Sequence, residues 1–366
     1  MFFLTKLLSL HFIFSPMDIT INLIGIMILK TLHKCNALLV IQLLCLIGLC
    51  LIALSVGRYP LPIGDIIKFI FSKAAVDEHT ALLLLEVRLP RVLGAVLVGG
   101  ALAVSGVAYQ GMFKNPLISP DILGVSSGAG FGASVAILFS LSMLGIQLSA
   151  FAFGLTAVFI ALALSRSISK LHNQTLVLLL SGIITGSMFG AFISLTKYLA
   201  DAEYKLPDIT FWLMGSLTNI TNEQIMIVAP IVLLAIIPLY LSSWKLNVLS
   251  FGEDEASSMG VQVSRLRFIV ILSATLLTAT VVSITGLIGW IGLVVPHIAR
   301  FLIGSDNRWL LPSAFILGGM FLLLIDLLSR TISALEIPLG IIASIIGAPI
   351  FFFVLKSVKS KRNLWE

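Results

Sequence analysis

The sequence predicts an all-α integral membrane protein of about ten transmembrane helices, and three observations carry that expectation. Hydrophobic residues make up 58% of the 366, charged residues only 11%, and the mean hydropathy of +1.11 is outside the range of water-soluble domains. Unbroken apolar runs of about twenty residues recur, the length a helix needs to cross the hydrocarbon layer, whereas membrane strands would leave short alternating segments. The Lys and Arg behind the net charge of +6 sit between the runs rather than on one face. That assigns the excess to orientation in a lipid bilayer and leaves no nucleic-acid interface to predict.

Residues 1–34 read as an extension of separate status. Met1 to Phe14 is apolar but interrupted by Lys6 and His11, Ile19 to Leu29 is short for a span, and a start at Met27 would leave Lys30 and Lys34 as a basic flank. Residues 35–366 read as one transmembrane domain. Its first span runs from Asn36 to Val56 and holds or adjoins Cys35, Cys45 and Cys50, an odd number in apolar surroundings that suits fillers rather than a disulfide framework. A polar stretch from Arg58 to Pro90 follows, then spans at Val92–Met112, Ile122–Ser140, Ile146–Leu164 and Thr175–Tyr198. Ala200–Thr210 is an external stretch leading through a short surface helix at Phe211–Leu217 into a sixth span at Ile225–Leu241. Beyond a central loop come Phe268–Ile288, a short span at Ile291–Leu302, then Leu310–Leu328 and Leu339–Leu355.

With both termini inside, the inner loops hold twelve Lys or Arg, among them Arg166, Lys245, Arg265 and Arg267, against eight outside, including Arg88, Arg91 and Arg330. That excess favours cytoplasmic termini. The second span then enters from outside and the seventh from inside, so two repeated halves would be inverted ones, although no repeat is visible in the residues.

The longest polar interruption among the later spans, Trp244–Arg267, divides the chain into halves of about five spans. Gly252 breaks the preceding run, Glu253, Asp254 and Glu255 gather where carboxylates favour the positive end of a helix dipole, and Gly260 stands where a C-terminal cap belongs. Ser264 is placed to cap the helix that follows. A solvated charge run accounts for the same residues, so spacing alone leaves a partner-binding loop and a bare loop both open.

Other motifs narrow the function. A GxxxxGK[ST] loop is absent, as are HExxH and GxSxG, which argues against nucleotide hydrolysis by this chain and against an intramembrane hydrolase. Gly124, Gly128, Gly130 and Gly132 suit close helix packing better than a dinucleotide site, since no βαβ context surrounds them; Gly182, Gly186 and Gly190 form a groove that suits packing, a conduit, or both. His297 reads as structural. Asp121 and Asp326 lie near span ends, so the mid-membrane carboxylates of an ion-coupled carrier are missing, and energy should come from elsewhere. Arg88 and Arg91 flank Pro90 at the expected start of the second span, where cations meet an unfavourable dipole; Glu86 is at hand to offset them, and Asp326 with Arg330 makes an i,i+4 pair.

Five stretches carry a family resemblance: RLPRVLGAVLVGGALAVSG from Arg88, QGMFKNPLISPDILGVSSGAG from Gln110, FGEDEASSMGV from Phe251, GLIGWIGLVVPHIARF from Gly286 and EIPLGIIASIIGAPIFFFVLK from Glu336. From about residue 37 onward the chain resembles the permease subunit of binding-protein-dependent ATP-binding-cassette importers for iron chelates, haem and cobalamin. The resemblance implies the type II importer permease fold, a second permease subunit (the same chain or a close homologue), two ATP-binding-cassette ATPase subunits and a periplasmic or lipid-anchored binding protein. It implies no cofactor, no catalysis by this chain, and the plasma (inner) membrane of a prokaryote. Residue by residue, Glu253, Asp254, Glu255, Ser258, Met259 and Gly260 match the ATPase-coupling segment. Gln174, Thr175, Gly182, Gly186 and Gly190 match the translocation path, and Arg88, Arg91 and Arg330 match positions that receive the binding protein. An iron(III) siderophore is the default substrate, with cobalamin, haem or molybdate as alternatives.

Overall fold

The computed structural model describes residues 34–57, 59–71, 77–168, 174–333 and 335–360, and every regular element among them is helical. By contact the chain divides after Leu44, and Cys45–Glu366 is the unit to which every contact below belongs. The extension 1–34, apart from Lys34, lies outside the described residues, as do Arg58, Lys73, Lys170, Lys361 and Arg362.

Among the described residues, seven helices are long and apolar enough to cross a membrane: α1 (Lys34–Ser55), α3 (Glu78–Phe113), α5 (Met143–Ile168), α6 (Gln174–Leu199), α8 (Asn222–Leu241), α11 (Val263–Thr285) and α13 (Asn307–Ile332). Three shorter apolar helices take the remaining expected positions: α4 (Val125–Leu138), α12 (Ile291–Ile303) and α14 (Leu339–Ser360, apolar to Val354). The short connecting helices are α2 (Ile63–Phe71), α7 (Lys205–Met214), α9 (Ser243–Leu249) and α10 (Glu253–Ser258).

Two boundaries differ most from expectation. The helix of the second span begins at Glu78, capped by the Asp77 carboxylate on the Thr80 N–H at 3.0 Å, so much of the stretch taken as a polar connection is helix. Polar Glu86 and Arg88 with helix-averse Pro90 moved the expected start to Val92. The structure accommodates Pro90 with a π-helical turn over Leu83–Arg88. Pro90 has no N–H to offer the preceding turn, and the Asn222 amide on α8 instead donates to the Leu85 carbonyl at 2.9 Å. The surface helix α7 likewise starts at Lys205, earlier than expected.

Helix α3 is the axis of the unit: 83% of its most apolar window is buried, against 28% for α6 and for α8. Its glycines let backbones touch. A Cβ on Gly99 would fall 2.1 Å from the Gly318 carbonyl of α13, one on Gly318 would fall 2.2 Å from the Gly99 carbonyl, and one on Gly106 would fall 1.9 Å from the Gly292 carbonyl of α12. Lipid tails are as apolar as Leu, so association comes from such close packing and from interhelical hydrogen bonds. The latter join α3 to α11, where Ser105 Oγ meets Thr278 Oγ1 at 3.0 Å and Tyr109 Oη meets Thr275 Oγ1 at 3.1 Å.

The small-residue run of α4 is a packing surface. Cβ atoms on Gly128 and Gly132 would each lie 2.4 Å from a carbonyl of α5, of Phe153 and Ser149 respectively. The three glycines of α6 divide. A Cβ on Gly182 would sit 2.2 Å from the Ile122 carbonyl, one on Gly186 would make ordinary contact with Gly124 Cα at 3.7 Å, and one on Gly190 would meet nothing within 4 Å. Gly182→Ala should therefore destabilise by about 1–3 kcal/mol through overpacking. Gly190→Ala should be neutral or stabilising by up to about 1 kcal/mol, because Ala is the better helix former. Thermal unfolding of the two purified variants checks the contrast, and equal effects would show that the close approach at Ile122 is not what separates them.

Candidate functional site

The central loop folds into a helical tip. α10 opens at Gly252, whose φ of 145° few L residues adopt, and closes in a paired-bond cap. The Val261 N–H donates to the Ala256 carbonyl at 2.9 Å and the Gly260 N–H to the Ser257 carbonyl at 3.0 Å, with Gly260 at φ 82°. Buried Ala256 and Val261 anchor the tip, while Asp254, Glu255, Ser258, Met259 and Gly260 are exposed. Around these polar groups stand Phe251, 75% exposed, and Met259, 55% exposed. Ser264 caps nothing: α11 begins one residue earlier, at Val263, after Gln262.

Glu253 is turned the other way. Its Oε1 pairs with the Arg267 guanidinium, and Arg267 Nη2 also donates to Thr175 Oγ1 at 2.8 Å. The first turns of α10, α11 and α6 thus meet at one guanidinium. Sequence spacing placed Arg267 only as a cation at a span entry; nothing local signals a contact with Thr175, 92 residues away. Gln174 opens α6, and its side chain lies outside the described residues.

Helix α6 presents two faces. Leu178, Ser181, Gly182, Thr185 and Phe189 are buried against the subunit, whereas Leu176, Leu180, Ile183, Ile184, Met188 and Leu195 are exposed, with Gly186 and Gly190 at the margin. The expected path residues therefore split between the inner face (Gly182) and the edge of the outer one.

At the opposite end of the spans the three arginines are buried, with exposures of 5% for Arg88, 7% for Arg91 and 8% for Arg330. Arg88 and Arg91 are not at the positive end of a dipole, because α3 begins earlier, at Glu78. Arg88 and Arg330 instead meet the negative end of α1. Arg88 donates to the Leu54, Ser55 and Tyr59 carbonyls, and Arg330 Nη2 to the Ala53 carbonyl at 2.7 Å, so that helix-end acceptors without intrahelical partners are satisfied.

Arg91 bridges two carboxylates. Its Nε donates to Asp326 Oδ1 at 2.7 Å, and its two terminal nitrogens grip Glu336 at 3.1 and 2.9 Å. Asp326, fully buried, also pairs with Arg330 Nε at 3.3 Å, and Glu336 accepts from the Thr218 hydroxyl at 2.7 Å. Glu86, the carboxylate expected to offset Arg88 or Arg91, takes the Asn222 amide at 3.3 Å instead. Glu336 escaped the sequence reading because it lies 245 residues from Arg91. His297 is structural as expected, its Nε2 2.9 Å from the Pro116 carbonyl.

Removing one partner from a buried ion pair leaves an uncompensated charge, at a cost of about 3–5 kcal/mol. Asp326→Asn should therefore lower the unfolding temperature sharply, and Lys68→Ala, which removes an exposed pair with Asp65, should hardly change it. Parallel melts of the two variants check this, and a wild-type melting temperature for Asp326→Asn would contradict the network.

Comparison with known proteins places this architecture. The FecCD transport family matches residues 44–357. The molybdate import system permease protein of Haemophilus influenzae is 41% identical over 314 residues, 84% of this chain and 92% of that protein. The hemin transport system permease protein of Yersinia pestis is 38% identical over 286 residues, 76% of this chain and 84% of that protein. A solved structure described as an inward-facing conformation of a metal-chelate type ABC transporter covers 88% of this chain and 99% of its own, at 38% identity and a TM-score of 0.80. With an apolar helix for each expected run and these matches over most of its length, the chain belongs to the FecCD transport family and is a permease subunit of an ABC importer.

Proposed function

We propose that this permease imports an iron(III)-siderophore-type metal chelate, driven by two ATPase subunits that grip the tip formed by α10. The exposed tip carries the ATPase-driven part of that reading: carboxylates at a helix start, flanked by exposed Phe251 and Met259, form an amphipathic knob suited to a partner outside the subunit. Glu253, Asp254, Glu255, Ser258, Met259 and Gly260 are its coupling residues. The knob then faces the cytoplasm and the arginine end faces out, in the plasma membrane of a prokaryote.

The outer face of α6, with Gly186 and Gly190 at its edge and Gln174 and Thr175 at its head, lines the path against a second permease subunit. A binding protein docks at the arginine end. Because Arg88, Arg91 and Arg330 are turned inward, their part in docking is to hold the α1 terminus and the Glu336 segment in the shape that the partner meets. A second substrate reading, molybdate, is supported by the 41% identity to the Haemophilus influenzae permease. Calorimetric titration of the cognate binding protein with ferric siderophores and with molybdate separates the two.

Coupling is tested in proteoliposomes holding the full transporter. Met259→Asp and Asp254→Lys alter exposed side chains, so both should leave the permease folded and should cut ATP-driven uptake by about tenfold or more, the effect of losing contacts worth ~1.4 kcal/mol or more. Wild-type uptake in both variants would sink the coupling role. A cysteine at Ser257 should react with an impermeant maleimide only after the cell membrane is opened, and labelling of intact cells would reverse the orientation.

A further inference from the structure

A cavity of about 350 Å³ lies beside the loop end, between α3, α5, α6 and α11. Its walls are apolar, with Phe113 of α3, Val158 and Leu162 of α5 and Ile271 of α11 among them, and among the described residues its lining holds no carboxylate, although Glu253 pairs with Arg267 beside it. Cationic groups stand at one end: Arg166 in the last turn of α5 and Arg267 in the first turn of α11 both reach the lining. The rim residues Phe159 (70% exposed) and Phe268 (56% exposed) leave it open sideways.

Three physical points decide what fills it. A void of this size forfeits the dispersion contacts of its lining, so in a bilayer an apolar chain enters. Water is a poor occupant, because ordered water needs two to four polar partners and the deep walls offer few. A second permease subunit is also unsuited: α6 contributes Leu178, which is buried in its own subunit, and its head residue Thr175, which Arg267 of the same subunit holds, while the exposed Leu176, Leu180 and Ile183 are not in the lining.

We propose that this cavity is a binding site for an anionic phospholipid, with an acyl chain between α5 and α11 and the headgroup phosphate at Arg166 and Arg267. The charge pattern matches, since guanidinium forks pair with phosphate oxygens, and basic pockets between transmembrane helices take anionic headgroups. Arg267 also holds Glu253 and Thr175, so the bound headgroup lies against the junction of α10 with α6.

The test uses the purified full chain in neutral detergent, with phosphatidylglycerol and phosphatidylcholine of identical acyl chains and with inorganic phosphate alone. Native mass spectrometry and thermal shift should show phosphatidylglycerol binding about tenfold tighter than phosphatidylcholine, the order that two arginines near a membrane surface supply. Phosphate alone should have no effect. Arg166→Gln should bring the preference below about threefold, and Ser165→Phe, which fills the cavity from its wall, should reduce binding of both lipids. Equal binding of the two lipids, a shift reproduced by phosphate alone, or wild-type preference in folded Arg166→Gln would overturn the proposal. One measurement needs no variant: phosphatidylglycerol with a photoreactive acyl chain should label wild-type peptides within Leu155–Arg166 and Ser264–Thr275. Labelling confined to other helices would overturn it as well.

Discussion

The architecture depends on backbone contact along α3. Where Gly99 meets Gly318 and Gly106 meets Gly292, no side chain stands between the helices, and a single added methyl at any of the four would collide with carbonyl or side-chain atoms closer than 3 Å. In a bilayer this is how helices attract one another, because burying apolar surface gains nothing against lipid. Close approach also shortens the reach for polar side chains, and the Ser105–Thr278 and Tyr109–Thr275 hydrogen bonds to α11 lie on the same central helix. α11, α12 and α13 are thereby fixed around one axis, and the helices with large exposed faces, α5, α6 and α8, sit outside it.

The same centrality explains the buried charges. Because α3 runs into the middle of the unit, Arg88 and Arg91 are enclosed by neighbours, whereas Glu78 and Glu86 on its earlier turns remain exposed. Arg88 and Arg91 are tolerated there because the α1 carbonyl end and the Asp326 and Glu336 carboxylates supply compensation. Burying a guanidinium without such partners would cost several kcal/mol. The end of α1, the last turns of α13 and the segment before α14 are thus tied into one polar knot.

Much of this was legible in the sequence, and the failures share a cause. Apolar runs marked a helix for each expected span, and the Gly252–Gly260 stretch marked α10 with its cap, because both signals are local. The start of α3 was misread because local signals conflict there: Pro90 and two charges suggest a connection, while a π turn and an amide from α8 let the helix pass. The arginines were read as a surface feature because what buries them is not local: Arg91 meets Asp326 and Glu336, 235 and 245 residues away, Arg330 reaches Ala53, 277 residues away, and the partners of Arg88 are backbone carbonyls that no side-chain pattern marks. Gly182, Gly186 and Gly190 share a spacing yet meet a carbonyl, an ordinary contact and open space respectively, a difference that only neighbouring segments define.

The two ends of the spans use ion pairs of different kinds. Asp326 is fully buried between Arg91 and Arg330, so separating them would strand charge in a low-dielectric interior, and that end behaves as a fixed platform. Glu253, by contrast, keeps 44% of its side chain exposed while it pairs with Arg267. Water reaches the carboxylate there even though Arg267 is only 14% exposed, so this pair is less enclosed than the one at Asp326. The joint lies between an exposed tip and α6, a helix held to its own subunit by one face. The Arg267 guanidinium thus ties the tip to α6 and not to the glycine-locked core around α3.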